Sequence, residues 1–398
     1  YGANTVQTPT LDLLAKDGLI FERAFSQVPL TWPSHAAILT GTYPFQNGVQ
    51  DFTGHPLSPE FRSVAQAFKQ AGYATGAVVS SFVLDRSWGL ARGFDYYDDA
   101  FSATAFQQKD IGLVDRRADE SVNHALAWLK KNGQHPFFFW LHLYDPHSPY
   151  DPPEPFRSHY RDNPYDGEIA YADRELGRLI SWLKTNRLYD RSVIVFLSDH
   201  GESLGEHGEK EHGFFIYNST THIPLILKPP AGSRPAGTRV SAPAETIAVA
   251  PTLVRMAGIK DSIGKQFRSK GLFDHSSNGS DAAYSETFYP FSSFGWSPLH
   301  SLENAKYHYI EAPEPELYDV VADPREEKNL ATQQTAIVDV LKAKLHETLR
   351  VRPFNQAQRS GRQLNSDAAD KLRALGYVAY QSPVSAEALA KGLPDPKS

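Results

Sequence analysis

The sequence predicts an α/β fold with a large, mostly parallel sheet flanked by helices on both faces, and a small C-terminal α+β domain with antiparallel strands. Short apolar segments alternate with amphipathic helical ones over about the first 280 residues, which requires crossover connections and parallel strands. The segment 136–144 is almost continuously apolar, as in a strand covered on both faces. Beyond residue 280, two short strand patterns flank a proline-rich turn, which indicates an antiparallel hairpin.

The helices of the first part are bounded by ordinary start and stop residues. Pro9 opens the first helix and Gly18 ends it, since proline fits the first helical turn and glycine closes the last. The same reasoning and the 3.6-residue periodicity place the other helices at 33–41, 64–71, 115–131, 168–188 and 244–257. Apolar segments between them predict strands at 19–25, 74–79, 136–144, 192–197 and 223–227.

The C-terminal part contains the hairpin strands at 307–310 and 316–320 and a helix at 338–349. We therefore expect a catalytic domain over 1–280, a small α+β subdomain over 281–350 and a polar tail or linker over 351–398. The tail could lead to a further C-terminal domain.

Composition narrows the function classes. The chain of 398 residues has a net charge of −6, which argues against a general binder of nucleic acid or anionic membranes. It has no cysteine, so disulfides and thiolate zinc sites are excluded. There is no run of about 18 apolar residues, so no transmembrane segment is predicted.

The first candidate site lies in the stretch PLTWPSHAAILTG. Pro33 fits the first turn of a short helix that Gly41 closes, which places Thr31 just before the helix start. Helix N-termini attract anions, so the Thr31 hydroxyl could be a nucleophile facing a bound anion. It could equally be an ordinary N-cap.

The second candidate site is the stretch SDHGESLGEHGEKEHG. Asp199 and His200 directly follow an apolar strand, and ligands gather at the carboxyl ends of strands in open α/β sheets. A carboxylate beside an imidazole suits a divalent metal ion. His207 and His212 follow in the same glycine-rich stretch. A solvated polar loop is the alternative, but three histidines in so short a segment after a strand favour a site.

The third candidate site is LHLYDPHSPY. His142 lies near the strand end and is interpreted as a core histidine, whereas Asp145 and His147 lie in the loop beyond. A hydroxyl nucleophile, a metal ion and several imidazoles together suit sulfuryl or phosphoryl transfer through a covalent intermediate.

Four stretches resemble the sulfatase family of the alkaline phosphatase superfamily, and they occur in the family's order along the chain. They are TWPSHAAILTGTYPFQNGV, LHLYDPHSPY with YDGEIAYADRELGRLI, VIVFLSDHGESLGEHG with HGFFIYNSTTHIPLILKPP, and ELYDVVADPREEKNLA. The chain also resembles bacterial sulfatase-like proteins that continue into helical repeats. The resemblance implies an alkaline-phosphatase-like fold and favours a periplasmic or extracytoplasmic location.

The resemblance also assigns roles. Thr31 stands where the family has the Cys or Ser that becomes formylglycine, so no formylglycine is expected and Thr31 resembles the threonine nucleophile of related phosphodiesterases. His35 replaces an arginine of the family. Asp199 and His200 match its metal-binding pair, with Thr31 as a third ligand.

Further residues match the substrate-facing positions of the family. His147 matches its substrate-facing histidine, and His212 matches a residue that contacts the anion and the leaving group. Asp145, His207 and His222 are further candidates for binding the substrate.

The leading hypothesis is a metal-dependent hydrolase of sulfate or phosphate esters, in which Thr31 favours phosphate monoesters and diesters. The substrate would be a small-molecule, glycan or lipid ester, and the ion calcium, manganese or zinc. Two alternatives stay open: a transferase of phospho-head-groups resembling phosphoethanolamine transferases, and an anion-binding module with impaired catalysis. The second is motivated by His35, by the lack of a lysine in VVSSFVLDRSWG, and by a family first strand that we expect to precede Tyr1.

Overall fold

Helices and strands alternate along the computed structural model, which describes residues 1–52, 56–101, 114–269, 271–274, 281–350 and 392–398. The helices are α1 (Pro9–Asp17), α2 (Thr31–Thr40), α3 (Pro44–Asn47), α4 (Val64–Gln70), α5 (Ala118–Asn132), α6 (Phe156–His159), α7 (Pro164–Thr185), α8 (Asn218–Thr221), α9 (Val249–Met256), α10 (Tyr289–Phe294) and α11 (Thr335–Leu349). The strands are β1 (Leu19–Phe25), β2 (Ala74–Val78), β3 (Tyr96–Asp98), β4 (Phe137–Leu141), β5 (Ile194–Leu197), β6 (His222–Lys228), β7 (Thr238–Val240), β8 (Ala244–Glu245), β9 (Ala282–Thr287), β10 (Leu299–Asn304), β11 (Tyr307–Glu311) and β12 (Glu316–Asp319).

These elements form two compact units that interleave along the chain. The first unit comprises Tyr1–Glu22, Ala65–Leu197 and Pro224–Val240. The second comprises Arg23–Val64, Ser198–Ile223 and Ser241–Ser398. The domain boundaries expected from the sequence, at 280 and 350, stay predictions.

The first unit contains most of the parallel sheet structure. Strands β3, β2 and β4 form a parallel sheet in that order, and β5, β6, β1 and β7 follow one another in a second sheet. Burial of apolar side chains holds α1 and α7 to the second sheet. This core consists of Leu14, Ile180, Leu183, Leu188, Tyr189 and Ile226.

One strand pair departs from the parallel arrangement. Strand β5 pairs with β6 in the antiparallel sense, with Ile194 opposite Lys228. The connection between the two strands carries a 3₁₀ turn at Glu206–Gly208 and the short helix α8 but no long crossover helix, which a parallel pair would need. The predicted α/β class with a largely parallel sheet is otherwise confirmed.

The second unit contains the antiparallel sheet, in the order β12-β11-β10-β9. The predicted hairpin is its β11–β12 pair, in which Tyr307 lies opposite Asp319. Helix α11 covers one face and packs on a core that α3 also reaches. That core consists of Phe45, Tyr284, Leu302, Tyr309, Leu317, Ala331, Leu341 and Leu345.

The helix predicted over 244–257 begins later than expected. Ala244 and Glu245 pair with the end of β1 instead, and α9 starts only at Val249. The buried amide oxygen of Gln27 explains the delay, because it accepts hydrogen bonds from the Thr246 hydroxyl at 2.5 Å and from the Ile247 amide at 3.2 Å. These bonds hold the first predicted turn in a 3₁₀ conformation.

Two further observations concern the ends of the chain and the membrane. Most of the predicted tail, 351–391, lies outside the described residues, but the last residues lie on the second unit, where the Glu314 amide donates to the buried Asp395 carboxylate at 2.9 Å. None of the helices in the described ranges combines the length and hydropathy that a bilayer-spanning segment needs.

Candidate active site

Thr31 is the first residue of α2, whereas the sequence placed it just before the helix start, so the helix begins earlier than predicted. The residue before it, Leu30, has no side-chain acceptor, so the helix has no side-chain cap. Pro33 lies in the first turn, and Gly41 closes the helix at φ 65° by donating to the Ala37 carbonyl. Thr31 is therefore not an N-cap threonine, and its half-buried hydroxyl is available for another partner.

That partner is His200. The Thr31 Oγ1 atom lies 3.2 Å from His200 Nε2, and His200 Nδ1 lies 2.9 Å from the Gly201 carbonyl oxygen. Because a carbonyl can only accept, a neutral imidazole carries its proton on Nδ1 and its lone pair on Nε2. The hydroxyl then donates to Nε2, which is the arrangement of a nucleophile and its base.

Asp199 joins the same cluster through both its backbone and its side chain. Its Oδ2 atom lies 3.4 Å from His200 Nε2 and 3.5 Å from His35 Nδ1. Its carbonyl oxygen accepts from the hydroxyl of Ser34 at 2.7 Å and from that of Ser26. Both serines are fully buried, so these two bonds tie the start of α2 to the residues after β5.

His35 lies one helical turn after Thr31 and supports its backbone. His35 Nδ1 is 2.7 Å from the Thr31 carbonyl oxygen. Burial lowers the pKa of His35, and this outweighs the opposing attraction of the Asp199 carboxylate. The ring is therefore neutral near pH 7, with its proton on Nδ1.

His212 is held against His200 by a carboxylate. Its Nδ1 lies 3.1 Å from Glu202 Oε1, and both side chains are 8% exposed. The rings of His212 and His200 are 4.1 Å apart between centroids. A carboxylate on Nδ1 fixes the orientation of an imidazole and favours its protonated form, which suits a proton donor.

Gly201 allows the loop to approach α8 closely. Its amide donates to the Thr220 carbonyl at 2.7 Å, and a Cβ at this position would lie 2.2 Å from the carbonyl oxygen of Ser219. Only glycine fits such a contact with backbone. The loop that carries His200 is therefore fixed from both sides.

The remaining predicted residues of the second unit have other partners. The ring of His207 stacks on Tyr217 at 3.6 Å, and its Nε2 lies 3.1 Å from the Arg325 carbonyl oxygen. His222 begins β6, is exposed, and lies 5.3 Å from the ring of Phe25. Substrate binding by either histidine stays a prediction.

Asp145 and His147 belong to the first unit. The His147 amide donates to Glu168 Oε2 at 2.9 Å, and its ring stacks on Tyr144 at 4.2 Å. Asp145 Oδ2 accepts from the Ala118 amide at 2.9 Å, and burial raises the pKa of Asp145 to about 6. Their predicted contacts with substrate stay untested. The structure agrees with the interpretation of His142 as a structural histidine, because His142 Nδ1 accepts a hydrogen bond from the Ser80 amide at 3.2 Å.

The donor set around Thr31 fits a divalent metal ion. It combines the Asp199 carboxylate, the His200 imidazole and the Thr31 hydroxyl, and His200 Nε2 lies 3.2 Å from Thr31 Oγ1 and 3.4 Å from Asp199 Oδ2. Imidazole suits zinc and manganese better than calcium, which prefers oxygen ligands alone. The residues that would hold the ion are Asp199, His200 and Thr31.

The sequence reasoning missed the residues that position this cluster. Glu202 stands in the same stretch as Asp199 and His200, and a carboxylate so near two histidines is a signal that could have identified it. Ser26 and Ser34 carry no such signal, because their role depends on a contact with a carbonyl more than 160 positions away.

An aromatic cluster begins two residues after His212. The ring of Phe214 lies 5.3 Å from Tyr289, 5.3 Å from Phe294 and 5.9 Å from Trp296. Phe294 and Trp296 stack on each other at 4.9 Å, and Phe294 is 50% exposed. A half-exposed group of rings that follows His212 this closely in sequence is suited to holding the organic part of a ligand.

Comparisons with protein families and known proteins agree over most of the chain. The sulfatase family model matches residues 1–259, and the model of the N-sulphoglucosamine sulphohydrolase C-terminal region matches 205–352. A sulfatase of Formosa agariphila is 25% identical over 87% of this chain and 82% of its own length. An ulvan-active sulfatase of the same organism is 26% identical over 87% of this chain and 77% of its own.

Solved structures show the same fold. Ps i-CgsB, crystallised with a neocarrahexaose, superimposes with a TM-score of 0.73 at 19% identity, and the match covers 94% of this chain and 93% of the other. A phosphonate monoester hydrolase from Silicibacter pomeroyi superimposes with a TM-score of 0.71 at 20% identity, covering 92% of this chain and 96% of the other.

Proposed function

Because this chain belongs to the sulfatase family of ester-bond hydrolases, we propose that it cleaves phosphate monoesters or diesters with Thr31 as its nucleophile. One observation carries the proposal: Thr31 Oγ1 lies 3.2 Å from His200 Nε2, and the Gly201 carbonyl directs the lone pair of that ring towards the hydroxyl. A threonine cannot supply a formylglycine, so the phosphate ester is favoured over the sulfate ester.

The first half-reaction forms a bond between Thr31 and phosphorus. The Thr31 oxygen attacks phosphorus while its proton passes to His200 Nε2. The bond between phosphorus and the leaving-group oxygen breaks, and that oxygen takes a proton from the imidazolium of His212. His212 suits this role because Glu202 stabilises its charged form.

The second half-reaction regenerates the enzyme. A water molecule attacks the phosphorylated threonine, gives a proton to the neutral His212, and releases phosphate with the Thr31 oxygen as leaving group. The imidazolium of His200 returns the proton to that oxygen. His35 acts in both halves as a positioning residue, because it bonds the Thr31 carbonyl.

A divalent ion is part of the proposal, since sulfatases generally use one. Bound by Asp199, His200 and Thr31, it would lower the pKa of the hydroxyl and neutralise charge on the substrate. Because an ion at His200 Nε2 occupies the lone pair that otherwise accepts the Thr31 proton, the bound ion would take over the activation of the hydroxyl from that imidazole. Zinc and manganese are favoured over calcium by the imidazole ligand.

The organic part of the substrate is proposed to be a sugar. A relative is named for ulvan, and a structural neighbour holds a neocarrahexaose. The aromatic cluster of Phe214, Tyr289, Phe294 and Trp296 supports this choice, because flat rings pack against the apolar faces of sugars.

The test compares wild-type, Thr31→Ala and Thr31→Ser on matched phosphate and sulfate esters of a nitrophenol and of one sugar, before and after chelation. We expect Thr31→Ala to lower kcat about 10³-fold or more and Thr31→Ser to keep part of the activity. An acid quench should trap a phosphorylated peptide that contains Thr31.

Thr40→Ala is the matched control, because it removes a hydroxyl from the same helix whose partners are the Ala36 carbonyl and Thr42. Its folded fraction should keep wild-type activity. Unchanged turnover in Thr31→Ala would contradict the assignment of Thr31 as the nucleophile. Faster turnover of the sulfate ester than of the matched phosphate ester would contradict the proposed preference for phosphate esters.

A further inference from the structure

Three buried ionisable side chains meet at the antiparallel sheet of the second unit. Glu303 lies on β10, His308 on β11, and Glu326 in the segment after β12. The side chains are only 4%, 2% and 1% exposed, respectively. The proposed reaction uses none of them, and two carboxylates buried around one imidazole require an explanation.

The ligand atoms of the three side chains converge. His308 Nδ1 lies 2.5 Å from Glu326 Oε1 and 3.6 Å from Glu303 Oε2. One atom from each residue lies within 4.8 Å of the other two. Two carboxylate oxygens and one imidazole nitrogen in this arrangement are a set of ligands for a metal ion.

Groups outside the cluster hold each carboxylate in place. Arg23 Nη2 donates to Glu303 Oε1 at 2.5 Å, and the Asn218 amide donates to Glu326 Oε2 at 2.7 Å. In each glutamate, one carboxylate oxygen accepts the hydrogen bond just described. The other oxygen, here called the inner oxygen, faces His308; the inner oxygens are Glu303 Oε2 and Glu326 Oε1. Partners of this kind orient the ligands of protein metal sites.

One inner oxygen lacks a hydrogen bond. Glu303 Oε2 is buried and has no hydrogen-bond donor, since 3.6 Å to His308 Nδ1 is too long. The single proton on that nitrogen is directed to Glu326 Oε1 instead. A buried carboxylate oxygen without a donor costs free energy, and a cation between the three side chains would satisfy it.

The backbone at Glu326 also favours this convergence. Glu326 has a φ of 57°, in the left-handed region that residues other than glycine seldom occupy. Glu327, the next residue, is exposed, so the unusual conformation serves to direct the Glu326 carboxylate inward. Such conformations persist where the surrounding contacts require them.

We propose that Glu303, His308 and Glu326 bind one divalent transition-metal ion of the zinc class. The site shares no residue with the Thr31 cluster. Zinc would bind the inner oxygens and His308 Nδ1 at about 2.0–2.2 Å, and the Nδ1 proton would leave to solvent. The imidazole selects against calcium and magnesium, which prefer oxygen ligands.

The experiment measures zinc bound to the full chain after chelator treatment, by metal analysis following equilibrium dialysis. The variant Asp199→Asn/His200→Gln removes the main ligands of the Thr31 cluster and serves as the background. We expect one zinc per chain to remain there. Adding Glu303→Gln or His308→Gln should weaken zinc binding at least about tenfold, whereas Glu311→Gln on the same hairpin should not.

Two further measurements distinguish a loss of zinc binding from a folding defect. Zinc should raise the Tm of the background variant, and cobalt should give the visible absorption of a nitrogen- and oxygen-ligated ion. Loss of all zinc from the background variant would overturn the proposal, as would unchanged zinc binding after Glu303→Gln. Competition by calcium at concentrations equal to zinc would overturn the class of metal.

Discussion

At the scale of single residues, the candidate site depends on where each imidazole keeps its proton. The Gly201 carbonyl holds the proton of His200 on Nδ1, and the Thr31 carbonyl does the same for His35. His212 instead faces a carboxylate, Glu202. A carbonyl partner thus fixes the tautomer of His200 and of His35, whereas the carboxylate partner places a negative charge beside His212.

The pair of Glu202 and His212 yields a test. Glu202→Gln removes the negative charge that stabilises the imidazolium, so kcat should fall about 10- to 100-fold while KM changes little. The alkaline limb of the pH–rate profile should lie at lower pH than in the wild type, because the imidazolium of His212 then lacks the carboxylate that stabilises it. Stopped-flow or steady-state turnover between pH 5 and 9 measures both effects.

Glu211→Gln is the control for this comparison, since the Glu211 side chain is exposed and lies in the same loop. It should behave as the wild type. If Glu202→Gln altered only KM, or left the pH profile in place, Glu202 would be a structural residue without influence on proton transfer.

The sequence identifies the residues of the Thr31 cluster but not the residues that hold them in place. Thr31, Asp199, His200 and His212 were each predicted, and all four lie in one cluster. Glu202 was visible in the same motif and was passed over. Ser26 and Ser34 could not be found, because ordinary serines in a sequence give no indication that they bind the Asp199 carbonyl.

At the scale of elements, the loop after β5 is fixed between α2 and α8. The serine hydroxyls hold its first residue, and Gly201 contacts the backbone of α8. Rigid placement of this kind preserves the distance between a nucleophile and its base, on which the rate depends steeply.

Gly201→Ala tests that placement. The new Cβ would lie 2.2 Å from the Ser219 carbonyl oxygen, and backbone cannot move aside cheaply. We expect a loss of about 2–4 kcal/mol in the free energy of unfolding and a larger fall in kcat than in substrate binding. Denaturant unfolding and steady-state kinetics measure these effects.

Gly264→Ala provides the comparison, because an added Cβ there meets nothing within 4 Å. Its stability should lie within about 0.5 kcal/mol of the wild type. Equal stability of the two variants would show that the loop after β5 can shift without cost.

The elements themselves were largely predictable from local signals. Strand β1 has the bounds that its apolar pattern predicted, and α1 begins at its proline. The error at 244–248 arose because Gln27, far away in sequence, accepts the hydrogen bonds of that segment. Strands β9 and β10 were not predicted, since polar residues such as Glu286 and Glu303 are buried in them and conceal the alternation that a strand normally shows.

At the scale of the whole molecule, several buried carboxylates retain their protons at unusually high pH. Burial raises the pKa of Glu286 to about 7 and that of Glu245 to about 7 in the second unit. In the first unit burial raises the pKa of Glu168 to about 7. Each group binds a proton more tightly in the folded than in the unfolded chain.

The contribution of these carboxyl groups to the stability of the protein should therefore fall as pH rises through this range. An unfolded glutamate loses its proton near pH 4.5, whereas Glu286 keeps it until about pH 7. Between these values the native state holds more protons, so the free energy of unfolding decreases with pH. We expect Glu286→Gln to flatten the curve by about 1–3 kcal/mol between pH 4.5 and 7.5.

Denaturant unfolding at fixed pH steps gives this curve. Glu327→Gln, which changes an exposed carboxyl, should leave the slope as it is. If the free energy of unfolding of Glu286→Gln had the same slope against pH as that of the wild type, the Glu286 carboxyl would be ionised in the folded protein. Hydrogen bonds such as that from Gln50 would then offset the cost of burying its charge.

The two serine bonds to the Asp199 carbonyl join parts of the chain separated by 165 and 173 positions. During synthesis, a growing polypeptide that has emerged only as far as α7 carries the threonine without its base. Loops this long close slowly. The proposed reactivity of the Thr31 hydroxyl therefore requires that the residues after β5 have been synthesised and have folded against α2.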